Sequence, residues 1–268
     1  MPILSKISHS ILLWLASIGR IILLLLTNIG RIVHFLLNAI ISAFRPPWYG
    51  HEILKQFLQI GFYSLPVVGL TAIFTGMVLA LQCHTGFSRF NASSAIATVV
   101  VVTITRELGP VLAGLMVAGR VGASMAAEIG TMRVTEQIDA LTTLSTNPFK
   151  YLVFPRLLAG LITLPFLVLI ADCIGVLGGY LVGVYKLDFN SATYINQTIK
   201  FLKAQDVISG LIKAAVFGVV ITLMGCYHGY QSARGAEGVG RATTNAVVAS
   251  SIMILCVNYI LTAVLFSK

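Results

Sequence analysis

The chain has 268 residues, of which 57% are hydrophobic and only 10% are charged, and its formal net charge is +9. An average soluble domain is about 25% charged, so this composition excludes an ordinary soluble protein and predicts an integral membrane protein. An excess of positive charge in such a protein is typical of cytoplasmic loops that face anionic lipid, and we expect no nucleic-acid partner.

The first 45 residues are apolar but carry Arg20 and Arg31, which close the repeats SIGR (17–20) and NIGR (28–31). Because eleven residues make almost three helical turns, both arginines fall on one face of a helix. The pattern predicts an amphipathic helix over residues 1–45 that lies in the membrane interface. Two alternatives stay open. One is a signal peptide, although no clear A-x-A cleavage site follows; the other is a sixth membrane span.

Five further segments are apolar enough and long enough to cross a bilayer, which takes about 20 residues. The sequence therefore predicts an all-α protein with an N-terminal interfacial helix and five transmembrane helices. The predicted spans cover residues 57–81, 95–119, 157–185, 207–230 and 246–266.

The lysines and arginines between these spans indicate how the chain is oriented. Eleven of them fall on the side that holds the N-terminus and five on the other side. The positive-inside rule places the first group in the cytoplasm. We therefore expect a cytoplasmic N-terminus, a C-terminus on the opposite side of the membrane, and a cytoplasmic loop between spans two and three.

That loop contains EIGTMRVTEQIDAL at 128–141, a polar stretch in an otherwise apolar chain. From Thr131 onward it can form a short amphipathic helix, with Thr135 as a cap before Glu136 and with Arg133 and Glu136 close enough to pair. Its apolar stripe consists of Val134, Ile138 and Leu141. Such a helix can press on a soluble partner and transmit its motion. The alternative is a solvated loop helix that has no partner.

Span two carries two charged residues, Arg106 and Glu107, near its predicted middle. A charge in hydrocarbon costs about 2.5–3.5 kcal/mol on insertion scales, so these side chains must face a cavity, a partner or another charge. One interpretation places Arg106 near a lipid phosphate. The other is a pair that fixes helix packing, with Lys213 or Asp172 as the partner. The histidines and cysteines lack ligand spacing, so we expect no metal site.

The stretch RELGPVLAGLMVAGRVGASMAAEIGTMRVTEQIDAL at 106–141 resembles the MlaE/YrbE family, the permease subunits of lipid transporters that work with MCE proteins. The resemblance continues in GMVLALQ (76–82), LVGVYK (181–186) and GVGRATTNAVV (238–248). It implies an MlaE-type permease domain over residues 46–268.

The resemblance implies a homodimer in the inner membrane of a diderm bacterium, moving phospholipid between that membrane and a periplasmic MCE protein and so contributing to outer-membrane lipid asymmetry. It also implies a cytoplasmic coupling helix seated in a separate ABC ATPase. The sequence contains no G-x-x-x-x-G-K-[ST] loop, so we expect a non-catalytic subunit without a cofactor, with ATP and Mg bound by the partner ATPase.

The same resemblance suggests candidate site residues. The ATPase-coupling residues are Glu128, Arg133, Glu136, Gln137 and Asp139. The lipid-binding residues are Arg106 and Glu107, with Leu79, Phe87 and Phe90 as an apolar wall between the two copies. Ordinary dimer packing is the alternative for those three apolar residues. Rival functions are a proton-coupled secondary transporter that uses Glu107 and Asp172, and a membrane scaffold without transport.

Overall fold

The computed structural model describes residues 2–43, 49–87 and 95–266, and all regular structure within these ranges is helical. The expected all-α membrane fold is confirmed, because six of the helical segments described are long and apolar enough to cross a bilayer. The chain divides into two compact units, Met1–Pro46 and Pro47–Lys268.

Nine helices follow one another along the described residues. They are α1 (Pro2–Ala43), α2 (Gly50–Ile60), α3 (Leu65–Phe87), α4 (Ile96–Val134), α5 (Gln137–Thr143), α6 (Phe149–Tyr185), α7 (Ser191–Phe201), α8 (Ala204–Tyr230) and α9 (Gly235–Phe266). Only a short 3₁₀ turn, Phe62–Ser64, separates α2 from α3.

Helix α1 accounts for the described residues of the first unit and runs without a break for 42 residues. Arg20 and Arg31 therefore do share one face, and both are exposed. Its stretch Ile22–Ser42 is also long and apolar enough to cross a membrane. The interfacial position of this helix stays a prediction, with a sixth span as the alternative.

Helix α8 is the centre of the second unit and packs against α4, α6 and α9. Its side chains Phe217, Ile221 and Met224 are buried in that core. Helices α3 and α9 lie at the periphery, where apolar side chains such as Leu70, Phe74 and Tyr259 are exposed. Such exposure suits a lipid environment, in which apolar surface need not be hidden from water.

Glycines allow the long helices to touch at their backbones. A Cβ atom on Gly76 of α3 would collide with the carbonyl oxygen of Gly175 in α6, and one on Gly218 of α8 would collide with that of Gly160 in α6. Gly160 and Gly175 of α6 thus contribute to close helix packing, which is typical of small residues in membrane helices.

Helix α4 differs from the predicted second span, because it continues well past residue 119 and ends only at Val134. Arg120 is consequently a helix residue, not a loop residue, and donates hydrogen bonds to the Gln59 carbonyl at 3.3 Å and to Ser64 Oγ at 2.8 Å. Two wide π turns, Ile104–Leu108 and Ala118–Gly122, interrupt α4. Such turns are often found at functional sites, and here each contains charged side chains that reach other elements.

Candidate functional site

A cluster of charged and polar side chains lies where α4, α8 and α9 meet. The first π turn of α4 supplies Arg106 and Glu107, which belong to the first third of the helix and not to its middle. Arg106 binds Asp206 with both Nη2 and Nε, at 2.6 and 2.7 Å from Oδ1. Asp206 is almost fully buried and also accepts the Lys203 backbone N–H at the start of α8.

The second pair of the cluster joins Glu107 to Lys213 of α8, with 2.7 Å between Oε1 and Nζ. Lys213 has no exposed surface, and its ammonium group also donates to the Arg106 carbonyl at 3.1 Å and to Thr262 Oγ1 at 2.8 Å. Glu107 accepts two more bonds from α9, from Asn258 Nδ2 at 3.0 Å and Thr262 Oγ1 at 3.2 Å. The charges that a membrane core would penalise are thus neutralised in pairs.

Of the two partners that the sequence offers for these charges, only Lys213 is used. Asp172 of α6 lies instead against Gly109, and its Oδ1 has no hydrogen-bond partner in the part of the chain that the structure describes. Four further residues of the cluster were not predicted from the sequence: Asp206, Asn258, Thr262 and Phe266. A signal for two of them exists, since Asn258 and Thr262 stand four residues apart in an apolar helix and therefore share a face.

Arg106 is the member of the cluster best placed to meet a ligand. Its side chain is 36% exposed, and its guanidinium lies 4.7 Å from the centroid of the Phe266 ring. Within the described residues its Nη1 has no acceptor, because Asp206 is bound through Nε and Nη2. A guanidinium with a free donor on a partly exposed face can bind a phosphate oxygen.

The predicted apolar wall is only partly visible. Leu79 and Phe87 are half-buried and pack against a core formed by Ala80, Ile96 and Val100 within the same protomer. Phe90 lies outside the described residues. Contact of these three with lipid stays a prediction, and packing is what the structure shows for the first two.

The opposite end of α4 carries the predicted coupling segment. Glu128 is still within α4 and binds Arg156 of α6, with 2.9 Å between Oε2 and Nη2. The chain then turns at Thr135 and Glu136, where Glu136 adopts a left-handed conformation at φ 59°. Helix α5 follows from Gln137, and the fully buried Ile138 anchors it to the rest of the unit.

Two details of the predicted coupling helix are wrong. Thr135 does not cap α5; it ends α4 and donates its hydroxyl to the Thr131 carbonyl at 2.9 Å. Arg133 pairs with Asp139 at 2.7 Å and not with Glu136. Because the helix breaks at residues 135 and 136, the i, i+3 spacing of Arg133 and Glu136 no longer places them side by side.

Comparison with known proteins identifies the family. The family model described as Permease MlaE matches residues 53–264, which is most of the chain. The chain belongs to the MlaE permease family. It is therefore a permease subunit of an ABC transporter, the non-catalytic component, and a multi-pass membrane protein.

Three relatives illustrate the range of this MlaE family. A probable ABC transporter permease protein of Rickettsia bellii is 68% identical over 230 residues, covering 86% of this chain and 89% of the relative. The intermembrane phospholipid transport system permease protein MlaE of Haemophilus influenzae is 36% identical, with 80% and 82% covered. The chloroplastic protein TRIGALACTOSYLDIACYLGLYCEROL 1 of Arabidopsis thaliana is 37% identical, with 80% and 61% covered.

Proposed function

We propose that this MlaE-family permease moves phospholipid between the bacterial inner membrane and a periplasmic MCE protein. It works as a pair of identical chains, and a cytoplasmic ABC ATPase that binds ATP and Mg supplies the energy. Its transport contributes to the lipid asymmetry of the outer membrane. The Haemophilus influenzae relative is named an intermembrane phospholipid transport system permease protein, and this supports a phospholipid as the cargo.

The observation that supports the proposal most directly is the position of the Arg106 guanidinium and the hydrogen-bond donor that it leaves unused among the described residues. Its guanidinium is held at a fixed place by Asp206 and the Phe266 ring, yet one nitrogen and about a third of the side chain remain available. A pre-positioned cation loses little conformational entropy when it binds a phosphate, so its binding energy is not spent on ordering. The same geometry has no role in a membrane scaffold.

The rival proton-coupled mechanism is less consistent with Glu107. That carboxylate accepts bonds from Lys213, Asn258 and Thr262, which fix it between α4, α8 and α9. A proton relay needs a group that gains and loses its proton readily. The geometry therefore favours Glu107 as a packing residue that orients the cluster.

The coupling side of the proposal rests on α5 and the turn before it. Glu136 is exposed in this turn, and Gln137 and Asp139 are exposed on α5, which Ile138 fixes to the transmembrane unit. A partner that pushes on this exposed face would move α4, because only two residues separate the helices. The ATPase-coupling role of Glu128 and Arg133 is part of the same proposal.

The test is to measure phospholipid recovered with the purified permease–ATPase–MCE complex. Arg106→Ala should reduce recovered phospholipid about three- to ten-fold, which corresponds to the loss of one hydrogen bond of typical net strength. Arg106→Lys is the matched control, because it keeps the charge and should retain a larger share. Equal recovery from the alanine variant and the wild-type complex would remove Arg106 from the lipid site.

A further inference from the structure

A second polar site lies at the other end of the transmembrane unit, beside α5. It is a groove of about 650 Å³ between α2, α4, α5 and α6. The ring pair of Tyr49 and Tyr151, 5.0 Å apart, and the contact of Gly61 with Thr163 show that α2 and α6 run side by side along it. Its charged lining residues are Glu52, Lys55, Glu128 and Arg156, and its uncharged polar ones are Ser124, Thr131, Gln137 and Tyr151.

The groove contains an ion pair whose arginine is buried. Arg156 is 3% exposed, donates to the Leu152 carbonyl at 2.8 Å and binds Glu128 at 2.9 Å. Its Nε has no acceptor within the described residues, so the buried cation has hydrogen-bonding capacity to spare. Glu128 is 39% exposed and uses only Oε2 for this pair. Its second oxygen is therefore free to accept a bond from a ligand.

The four charged residues of the groove balance one another, with Glu52 and Glu128 against Lys55 and Arg156. A site for an anion would carry a net positive charge. A neutral site with both signs instead fits a ligand that carries both a phosphate and an ammonium group. Lys55, which has no ion-pair partner in the described part of the chain, can meet the phosphate.

The surroundings of the groove fit an amphiphile. Helix α2 turns Glu52 and Lys55 toward the groove, while Leu54 and Leu58, four residues apart on another face, are exposed. Along α4, 21 residues separate Glu107 from Glu128, which is about 31 Å of helix. That length matches the roughly 30 Å hydrocarbon core of a bilayer, so the two polar sites lie at opposite membrane surfaces.

From this geometry we propose that the groove binds the zwitterionic headgroup of a phospholipid in the leaflet on the α5 side, with the acyl chains over Leu54 and Leu58. Glu52 and Glu128 receive the ammonium group, Lys55 receives the phosphate, and Arg156 positions Glu128. The site goes beyond the transport proposal. It is tested through Glu52 and Lys55, which have no part in the coupling proposal, so the lipid test can fail without the coupling test.

The experiment uses the full-length permease in nanodiscs and a phosphatidylethanolamine probe with a diazirine near the glycerol end of one acyl chain. We expect light-induced adducts on residues 51–58. Lys55→Gln and Glu52→Gln should each lower them about three- to ten-fold relative to adducts on α9, as expected for the loss of one hydrogen bond of typical net strength. These two side chains are preferred to Glu128, whose removal would leave buried Arg156 without its partner.

Lys150 lies at the start of α6, outside the groove. The variant Lys150→Gln is therefore the matched control and should give as many adducts as the wild type. An anionic phosphatidylglycerol probe that gave as many adducts would overturn the zwitterionic assignment. Full displacement by millimolar glycerophosphoethanolamine would assign the groove to a soluble phosphodiester instead. Absence of adducts on residues 51–58 would also overturn the proposal.

Discussion

At the scale of single residues, Lys213 shows how this protein accommodates a fully buried charge. Its ammonium group has no exposed surface and donates to three acceptors. Two belong to α4, the Arg106 backbone carbonyl and the Glu107 carboxylate, and the third is the Thr262 hydroxyl of α9. An ammonium group offers three donors, so none is left without a bond. Lys213 therefore joins three helices at one point.

Replacement of this lysine tests that role. Lys213→Met should lower the free energy of unfolding by about 3 kcal/mol, because it leaves Glu107 without its counter-charge. The double variant Glu107→Gln with Lys213→Met should recover part of that loss, since both charges are then removed. Denaturant unfolding of the purified permease in detergent measures both values. A Lys213→Met variant as stable as the wild type would show that the pair contributes nothing.

At the scale of elements, the break between α4 and α5 matters most. Glu136 is left-handed, a conformation that costs a non-glycine residue roughly 1–2 kcal/mol, and the bond between Arg133 and Asp139 spans the break. The buried Ile138 holds α5 in place on the other side. Because of this break, α5 is a separate short helix with a fixed position and not a continuation of α4.

The coupling proposal is tested on this helix. Glu136→Ala combined with Gln137→Arg should reduce the ATPase that co-purifies with the permease about ten-fold, because it removes one polar contact and adds a charge at an exposed face. Insertion into the membrane should not change. Gln197→Arg on α7, at the far end of the chain's second unit, is the matched control. Unchanged ATPase recovery from the double variant would contradict the coupling role of α5.

At the scale of the whole molecule, the arrangement has two polar ends joined by an apolar middle. The Arg106 cluster and the Glu128 groove lie at opposite ends of α4, and α3, α6 and α9 expose apolar side chains between them. Which end faces the cytoplasm follows from the charge distribution of the sequence. The orientation is a prediction that one labelling experiment can test.

Cysteines introduced one at a time report the orientation. In a chain whose exposed Cys173 and Cys256 are replaced by serine, Asn196→Cys on α7 should react with a membrane-impermeant thiol reagent in intact spheroplasts. Asp139→Cys on α5 should react only after the membrane is opened. The reverse pattern would invert the topology and remove the basis for a cytoplasmic coupling helix.

The sequence by itself determined the fold class, the family and the existence of most spans, because these depend on apolar runs and ordered motifs that are local along the chain. It also placed Arg106, Glu107 and the α5 region as features of interest. The sequence was less informative about which charged residues pair. It left Lys213 and Asp172 as alternative partners of the charges in span two, and it predicted a pair of Arg133 with Glu136 that does not form.

Only the tertiary structure decided those questions. Asp206 is 100 residues from Arg106, Lys213 is 106 from Glu107, and Asn258 is 151 from Glu107. Contacts at such separations depend on how glycines let α3, α6 and α8 approach and on where the π turns of α4 rotate its side chains. Neither the distance between helices nor their rotation can be read from a periodic pattern, because the pattern fixes only which residues share a face.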